Sequence, residues 1–143
     1  MPTSSADSPS NGSAPHFLTR AQIEALHDAS LDQFGGLAGI GDSGLIDSAL
    51  ASAQNAYFYG NGDMFDIAAA YAFHLAEAQA FIDGNRRTAI LAALAFLEAN
   101  GGYRTPNQNE LYDAMIAIAD KRLNKAGLAE IFRRRAARPQ PES

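Results

Sequence analysis

No cysteine occurs in the 143 residues, which excludes disulfides, thiolate metal sites and a cysteine nucleophile. Positive charge is nearly missing from the first part of the chain. Residues 1–85 carry one basic side chain, Arg20, against ten acidic ones, whereas residues 86–143 carry ten basic and six acidic. The net charge of −5 makes direct nucleic-acid binding a poor expectation, because that binding rests mainly on neutralising phosphates. No apolar run approaches 18 residues without a charge, and the N-terminus lacks the apolar core of an export signal. Neither a membrane segment nor secretion is therefore expected, and a reducing cytoplasm is the expected compartment. No alternating strand pattern and no internal repeat can be found either. What remains, at 47 % apolar content, is one domain large enough for its own core.

The first 16 residues, rich in Ser, Pro, Gly and Asn, read as a disordered tail that includes His16, and residues 136–143 as a frayed end. Residues 17–135 are the expected domain. Thr19 is placed to cap a helix carrying Ile23, Leu26 and Leu31, and Asp42 or Ser43 to cap a second after the loop "GGLAGIGDSG". "FYGNGD" is a turn, and "MFDIAAAYAFHLAEAQAF" a third helix ending near Gln79 to Phe81. An Asp83-Gly84 turn opens a fourth, from Asn85 to about Asn100, closed by Gly101-Gly102. Its apolar residues lie on nearly every side, which marks a helix packed centrally. "TPNQNELYDAMIAIADKRL" and "NKAGLAEIFRRRA" supply two more. The fold class is all-α, about six helices around a central apolar one. "FRRRAAR" reads as a solvated helix end, an acidic partner being the alternative.

The chemistry is concentrated at 79–88. Arg86 and Arg87 stand in the first turn of a helix, the positive end of its dipole, where anions are preferred to cations. The free N–H groups of a helix start form an anion cradle, and Gly84 permits close backbone approach. Asn85 can donate an amide hydrogen bond, and the arginines offer forked donors for phosphate oxygens. Asp83 is where a carboxylate could hold Mg2+ bridging those oxygens. Phe81 would anchor the loop in the core. The alternative is structural: Asp83 as a helix cap, Gly84 as a turn residue, and two solvated arginines whose mismatch with the dipole costs about 0.3–1 kcal/mol each.

"QAFIDGNRRTAILAALAFLEANG" resembles the signature of the Fic/Doc family, His-x-Phe-x-(Asp/Glu)-(Gly/Ala)-Asn-x-Arg, with Phe81, Asp83, Gly84, Asn85 and Arg87 in register. "ALHDASLDQFGG", "GIGDSGLIDSAL" and "FDIAAAYAFHLAEAQAFIDGNRRTA" are similar to the death-on-curing (Doc) branch, so that the likeness runs over about residues 17 to 132. The resemblance implies that Asp83 positions Mg2+, that the Gly84–Asn85 backbone and the Asn85 side chain form an anion hole, and that Arg87 holds phosphates. Adenylylating members usually carry glycine at the position of Arg86 and arginine at that of Ile90. A basic residue at the former implies the Doc-like activity, phosphoryl transfer from ATP or another nucleoside triphosphate to a hydroxyl of a target protein such as elongation factor Tu, the target of the branch's type member. Residues 55–65, "NAYFYGNGDMF", would be the flap that docks a target. An antitoxin protein would restrain the toxin, since no glutamate here precedes Gly or Asn as in the inhibitory motif of other members.

One departure stands out. The motif histidine, which takes the proton of the target hydroxyl, falls on position 79, where this chain has Gln. A carboxamide can hydrogen-bond a hydroxyl but has no useful basicity, and general-base assistance is worth about 10²–10⁴ in rate. His74 should not substitute, being about 7.5 Å along the helix and about 140° around it from position 79. Glu77 is also read as lying on the wrong turn, and His27 as packing within the first helix. Three readings of Gln79 stay open: an engineered silencing, a natural loss leaving a catalytically inactive module that binds nucleotide or antitoxin, or slow transfer by positioning and charge alone.

Overall fold

The computed structural model describes residues 14–137. Six helices follow one another: α1 (Arg20–Phe34), α2 (Ser43–Phe58), α3 (Met64–Ala78), α4 (Asn85–Ala99), α5 (Gln108–Ala119) and α6 (Lys125–Ala137). Among the described residues no strand forms, and the single β-type pairing is one bridge between Ile40 and Phe81. The chain is all-α.

Side-chain caps explain where most helices begin. Thr19 and Gln22 make a reciprocal capping box on α1, Asp42 accepts the Gly44 N–H on α2, and Asp63 and Asn107 do the same work on α3 and α5. α4 differs, because its cap position is Gly84 and no side chain caps it. Its far end closes as Gly101-Gly102 indicates, with the Gly102 N–H donating to the Leu97 carbonyl at 3.0 Å.

The centre read for residues 85–100 is shared by two helices. α3 packs on α2, α4 and α6, and α4 packs on α3, α1 and α5. Both are alanine-rich where they are buried, with Ala68, Ala69, Ala70 and Ala72 facing a neighbourhood that includes Ala89, Ala92 and Ala93. Small side chains at the contact allow the axes to approach closely, and Ile67, Tyr71, Phe96 and Leu97 fill the remaining space. α6 is tied on by buried Leu128, Ala129 and Phe132. Its arginines are paired within the chain: Arg133 reaches Asp63, Asp66 and Glu130 at 2.8–3.1 Å, Arg134 reaches Glu130, and Arg135 reaches Glu110.

Residues 55–65 are not a flap beside the motif. Asn55 to Phe58 continue α2, since nothing breaks the helix before Gly60. Gly60 and Gly62 then turn the chain by donating to the Asn55 and Ala56 carbonyls, and Asp63 starts α3. That turn sits at the opposite end of α3 from Gln79, about 22 Å away at 1.5 Å per residue. The segment that does run beside the motif is 35–42.

The two tails read at 1–16 and 136–143 lie largely outside the described residues. At their inner edges, the Asn100 carboxamide holds both the N–H and the carbonyl of His16, and Ala136 and Ala137 belong to α6.

Candidate functional site

α3 ends when Gln79 turns into the left-handed region, φ 50° and ψ 47°. A non-glycine residue there stores backbone strain, which persists only where its surroundings fix it. The fixing contacts follow at once. The Ala80 carbonyl accepts the Gly41 and Asp42 N–H groups at 2.8 and 3.1 Å, and the Ile82 N–H donates to the Gly39 carbonyl at 3.0 Å. Residues 39–42 thus run antiparallel beside 80–82. The Asn85 carboxamide closes the turn from the other side, accepting the Phe81 N–H at 3.0 Å and donating to the Phe81 carbonyl at 2.9 Å. The resemblance assigned that carboxamide to an anion hole. One N–H of the Nδ2 amide is bound to Phe81, which leaves its second N–H and the Asn85 backbone N–H to offer an anion.

Phe81 is buried beneath the turn, its ring stacked on His27 at 3.8 Å between centroids and 10° between planes. Nε2 of His27 donates to the Asp83 carbonyl at 2.7 Å, so the proton of a neutral ring is on Nε2. The Asp83 carboxylate is exposed and accepts two backbone donors, Gly84 N–H at 3.0 Å and Leu37 N–H at 3.1 Å. Gly36, at φ 125°, must be glycine for this: a Cβ would stand 3.0 Å from Asp83 Oδ2 and 3.1 Å from Leu31. Gly84 follows at φ 80°, and the first intrahelical bond of α4 is Thr88 N–H to the Gly84 carbonyl. The N–H groups of Asn85, Arg86 and Arg87 precede it, with neither a helical acceptor nor a side-chain cap.

Above these donors sit the two arginines. Arg87 lies between two rings, its guanidinium carbon 3.8 Å from the Phe34 centroid and 4.4 Å from that of Tyr112. Arg86 is 5.5 Å from the Tyr112 centroid and donates from Nη1 to Tyr112 Oη at 3.5 Å. Among the described residues neither arginine forms an ion pair, although Arg20, Arg122 and Arg133 to Arg135 all do. Together the groups line a cavity of about 760 Å³, within the usual range for small-molecule sites. Gln79, Asp83, Gly84, Asn85, Arg86 and Arg87 all lie in its wall, joined by Glu77 and Lys121 and, on the apolar side, by Phe73, Met115 and Ile118. Phe81 supports the wall from behind, as its anchoring role requires.

No histidine belongs to that wall. His74 is half-buried, with Nε2 2.9 Å from the Lys125 ammonium, which donates to it. Burial and the Lys125 charge hold the His74 pKa below its ordinary value, against an opposing pull from Glu77. Glu77, in the last turn of α3, also lines the cavity. Among the described residues no cluster of three or more His, Asp or Glu could hold a metal by itself. Asp83 supplies a single carboxylate, so a Mg2+ ion there would need its other oxygen ligands from water or a bound molecule.

The sequence reading missed His27, Phe34, Tyr112 and the Leu37 N–H. One signal was present: His27, Leu31 and Phe34 recur at i, i+4 and i+7 and so share a face of α1.

Comparison with known proteins identifies relatives of the chain. A family model described as the Fic/DOC family matches residues 17–97, a span containing every candidate residue from Gln79 to Arg87. The chain is 32 % identical over 118 residues to the protein called Protein kinase doc of Escherichia phage P1, covering 82 % of this chain and 93 % of that one. It is also 45 % identical over 71 residues to Toxin Doc of Mycolicibacterium smegmatis, covering 48 % of this chain and about half, 54 %, of that toxin.

Proposed function

Because the chain belongs to the Fic/DOC family, we propose that it is a Doc-like toxin that transfers a phosphoryl group from ATP, or another nucleoside triphosphate, to a hydroxyl of a target protein such as elongation factor Tu. The observation that carries this reading is the pairing of an uncapped helix start with two arginines that have no carboxylate partner among the described residues, all in one cavity wall. A polyphosphate satisfies both halves of that arrangement.

In the reaction, the target hydroxyl oxygen attacks the γ-phosphorus and a new O–P bond forms. The bond from that phosphorus to the β–γ bridging oxygen breaks, and the nucleoside diphosphate leaves with the electron pair. Arg87 and the N–H groups of Asn85 to Arg87 face the charge that spreads over the phosphoryl oxygens, which is where such catalysis resides. Asp83 would hold Mg2+, whose contribution when bound is to neutralise phosphate charge. Gln79 can accept a hydrogen bond from the attacking hydroxyl but cannot keep its proton. The Asp83 carboxylate is engaged by two N–H donors. The proton therefore passes to water, at a rate cost of about 10²–10⁴ relative to a histidine at position 79. Nucleotidyl transfer is the lesser alternative, given Arg86 and Ile90. Gln79 favours a second reading, an inactive module that binds nucleotide or an antitoxin. An antitoxin protein is the proposed partner in either case.

The test incubates elongation factor Tu and Mg-ATP with this chain or with Gln79→His and reads the target by mass spectrometry. A phosphoryl gain that is slow with the native residue and about 100-fold faster with histidine is the expected result. A nucleotidyl gain would overturn the assigned reaction, and no gain with either would remove this target.

A further inference from the structure

The two rings on Arg87 do something an ordinary partner for arginine could not. A carboxylate binds a guanidinium in its plane and consumes the N–H donors. Phe34 and Tyr112 approach over its faces, at 3.8 and 4.4 Å from the guanidinium carbon to the ring centroids. Face contact stabilises the cation by cation–π attraction and dispersion while leaving the in-plane donors unspent. Phe34 is 41 % exposed at the end of α1, and Tyr112 comes from α5, beyond the family match at 17–97. The turn carrying Arg87 is thus gripped by rings from two further elements, α1 and α5. We propose that Phe34 and Tyr112 are positioning residues, an aromatic clamp that holds the Arg87 guanidinium in the cavity with its in-plane donors open to the phosphates of a nucleotide. The proposal rests on the phosphate reading of the cavity.

The clamp accounts for a feature that is otherwise unexplained. Arg87 remains half-buried without an ion pair among the described residues in a chain with sixteen carboxylates. The Tyr112 hydroxyl bears on Arg86 at 3.5 Å, a long contact, so the ring rather than the hydroxyl is the working part.

The experiment measures Mg-ATP binding by calorimetry for the full chain, for Phe34→Leu, Phe34→Tyr, Tyr112→Leu and Tyr112→Phe, and for Arg87→Ala with and without Phe34→Leu. Thermal unfolding of each variant identifies any that does not fold, and exposed Phe34 keeps the test open if Tyr112→Leu fails. Each leucine variant is expected to weaken binding about tenfold, and the two aromatic-for-aromatic variants to stay within about twofold of the native chain. In the Arg87→Ala background, Phe34→Leu should add less than about twofold, because the ring acts through Arg87. Native binding with unaffected leucine variants, or a loss from Phe34→Leu that persists without Arg87, would overturn the clamp alone. Absence of Mg-ATP binding by the native chain would overturn the phosphate reading and the clamp with it.

Discussion

Replacing His27 by alanine removes two things at once, the ring stacked on Phe81 and the donor to the Asp83 carbonyl. The side chain is 3 % exposed, so the loss combines a cavity with a broken hydrogen bond, and urea unfolding is expected to report about 2–4 kcal/mol of destabilisation. His27→Phe keeps a ring for Phe81 and should recover about half. A ΔΔG below about 0.5 kcal/mol for His27→Ala would show that the contact does not support the turn. The sequence marked this histidine as a helix-packing residue, and packing is indeed part of its role. Its bond to a carbonyl 56 residues away depends on tertiary approach, which no local pattern encodes. The same holds for Phe34 and Tyr112. Phe81, Asp83, Gly84 and the two arginines were legible because a turn followed directly by a cationic helix start is a local conflict that local chemistry does not resolve.

Helix boundaries were readable where a short polar side chain caps the first turn, as with Thr19 and Asp42. The placement of α6 was not, because its grip on the N-terminus of α3 comes from Arg133 reaching Asp63 and Asp66 across 67–70 residues. That grip gives acid sensitivity a definite sign. Partial burial works against ionised Asp63, but the hydrogen bonds from Arg133 and from the Asp66 N–H prevail and hold its pKa below the usual carboxylate range. Hydrogen bonding to Arg133 does the same for Glu130. Depressed carboxylates contribute stability that is full above the ordinary carboxylate pKa, about 4, and lost as the pH falls through the folded value. His74 is also depressed, by burial and Lys125, so its contribution is full above about pH 6.5 and declines below it. The melting temperature should therefore fall in two limbs, from about pH 6.5 and again below about pH 4. His74→Gln is expected to flatten the upper limb and Arg133→Ala the lower. Unchanged slopes in these variants would refute the assignment.

For the molecule as a whole, the change of charge sign at Arg86 falls on the cavity wall. The acidic first part supplies Glu77 and Asp83, and the basic remainder supplies Arg86, Arg87 and Lys121. The all-helical fold brings three separate pieces to that wall, the end of α1, the α3–α4 turn and α5, around a core formed mainly by α3 and α4. No helix of the described residues is long and apolar enough to cross a membrane. Hydrogen exchange at the amides of Asn85 to Arg87, with and without Mg-ATP, tests the phosphate cradle most directly, since it reads the N–H groups that α4 leaves unbonded and needs no turnover. Protection of these amides by saturating Mg-ATP of about tenfold or more, abolished by Arg87→Ala, is the expected result. Exchange unaltered by nucleotide would contradict it.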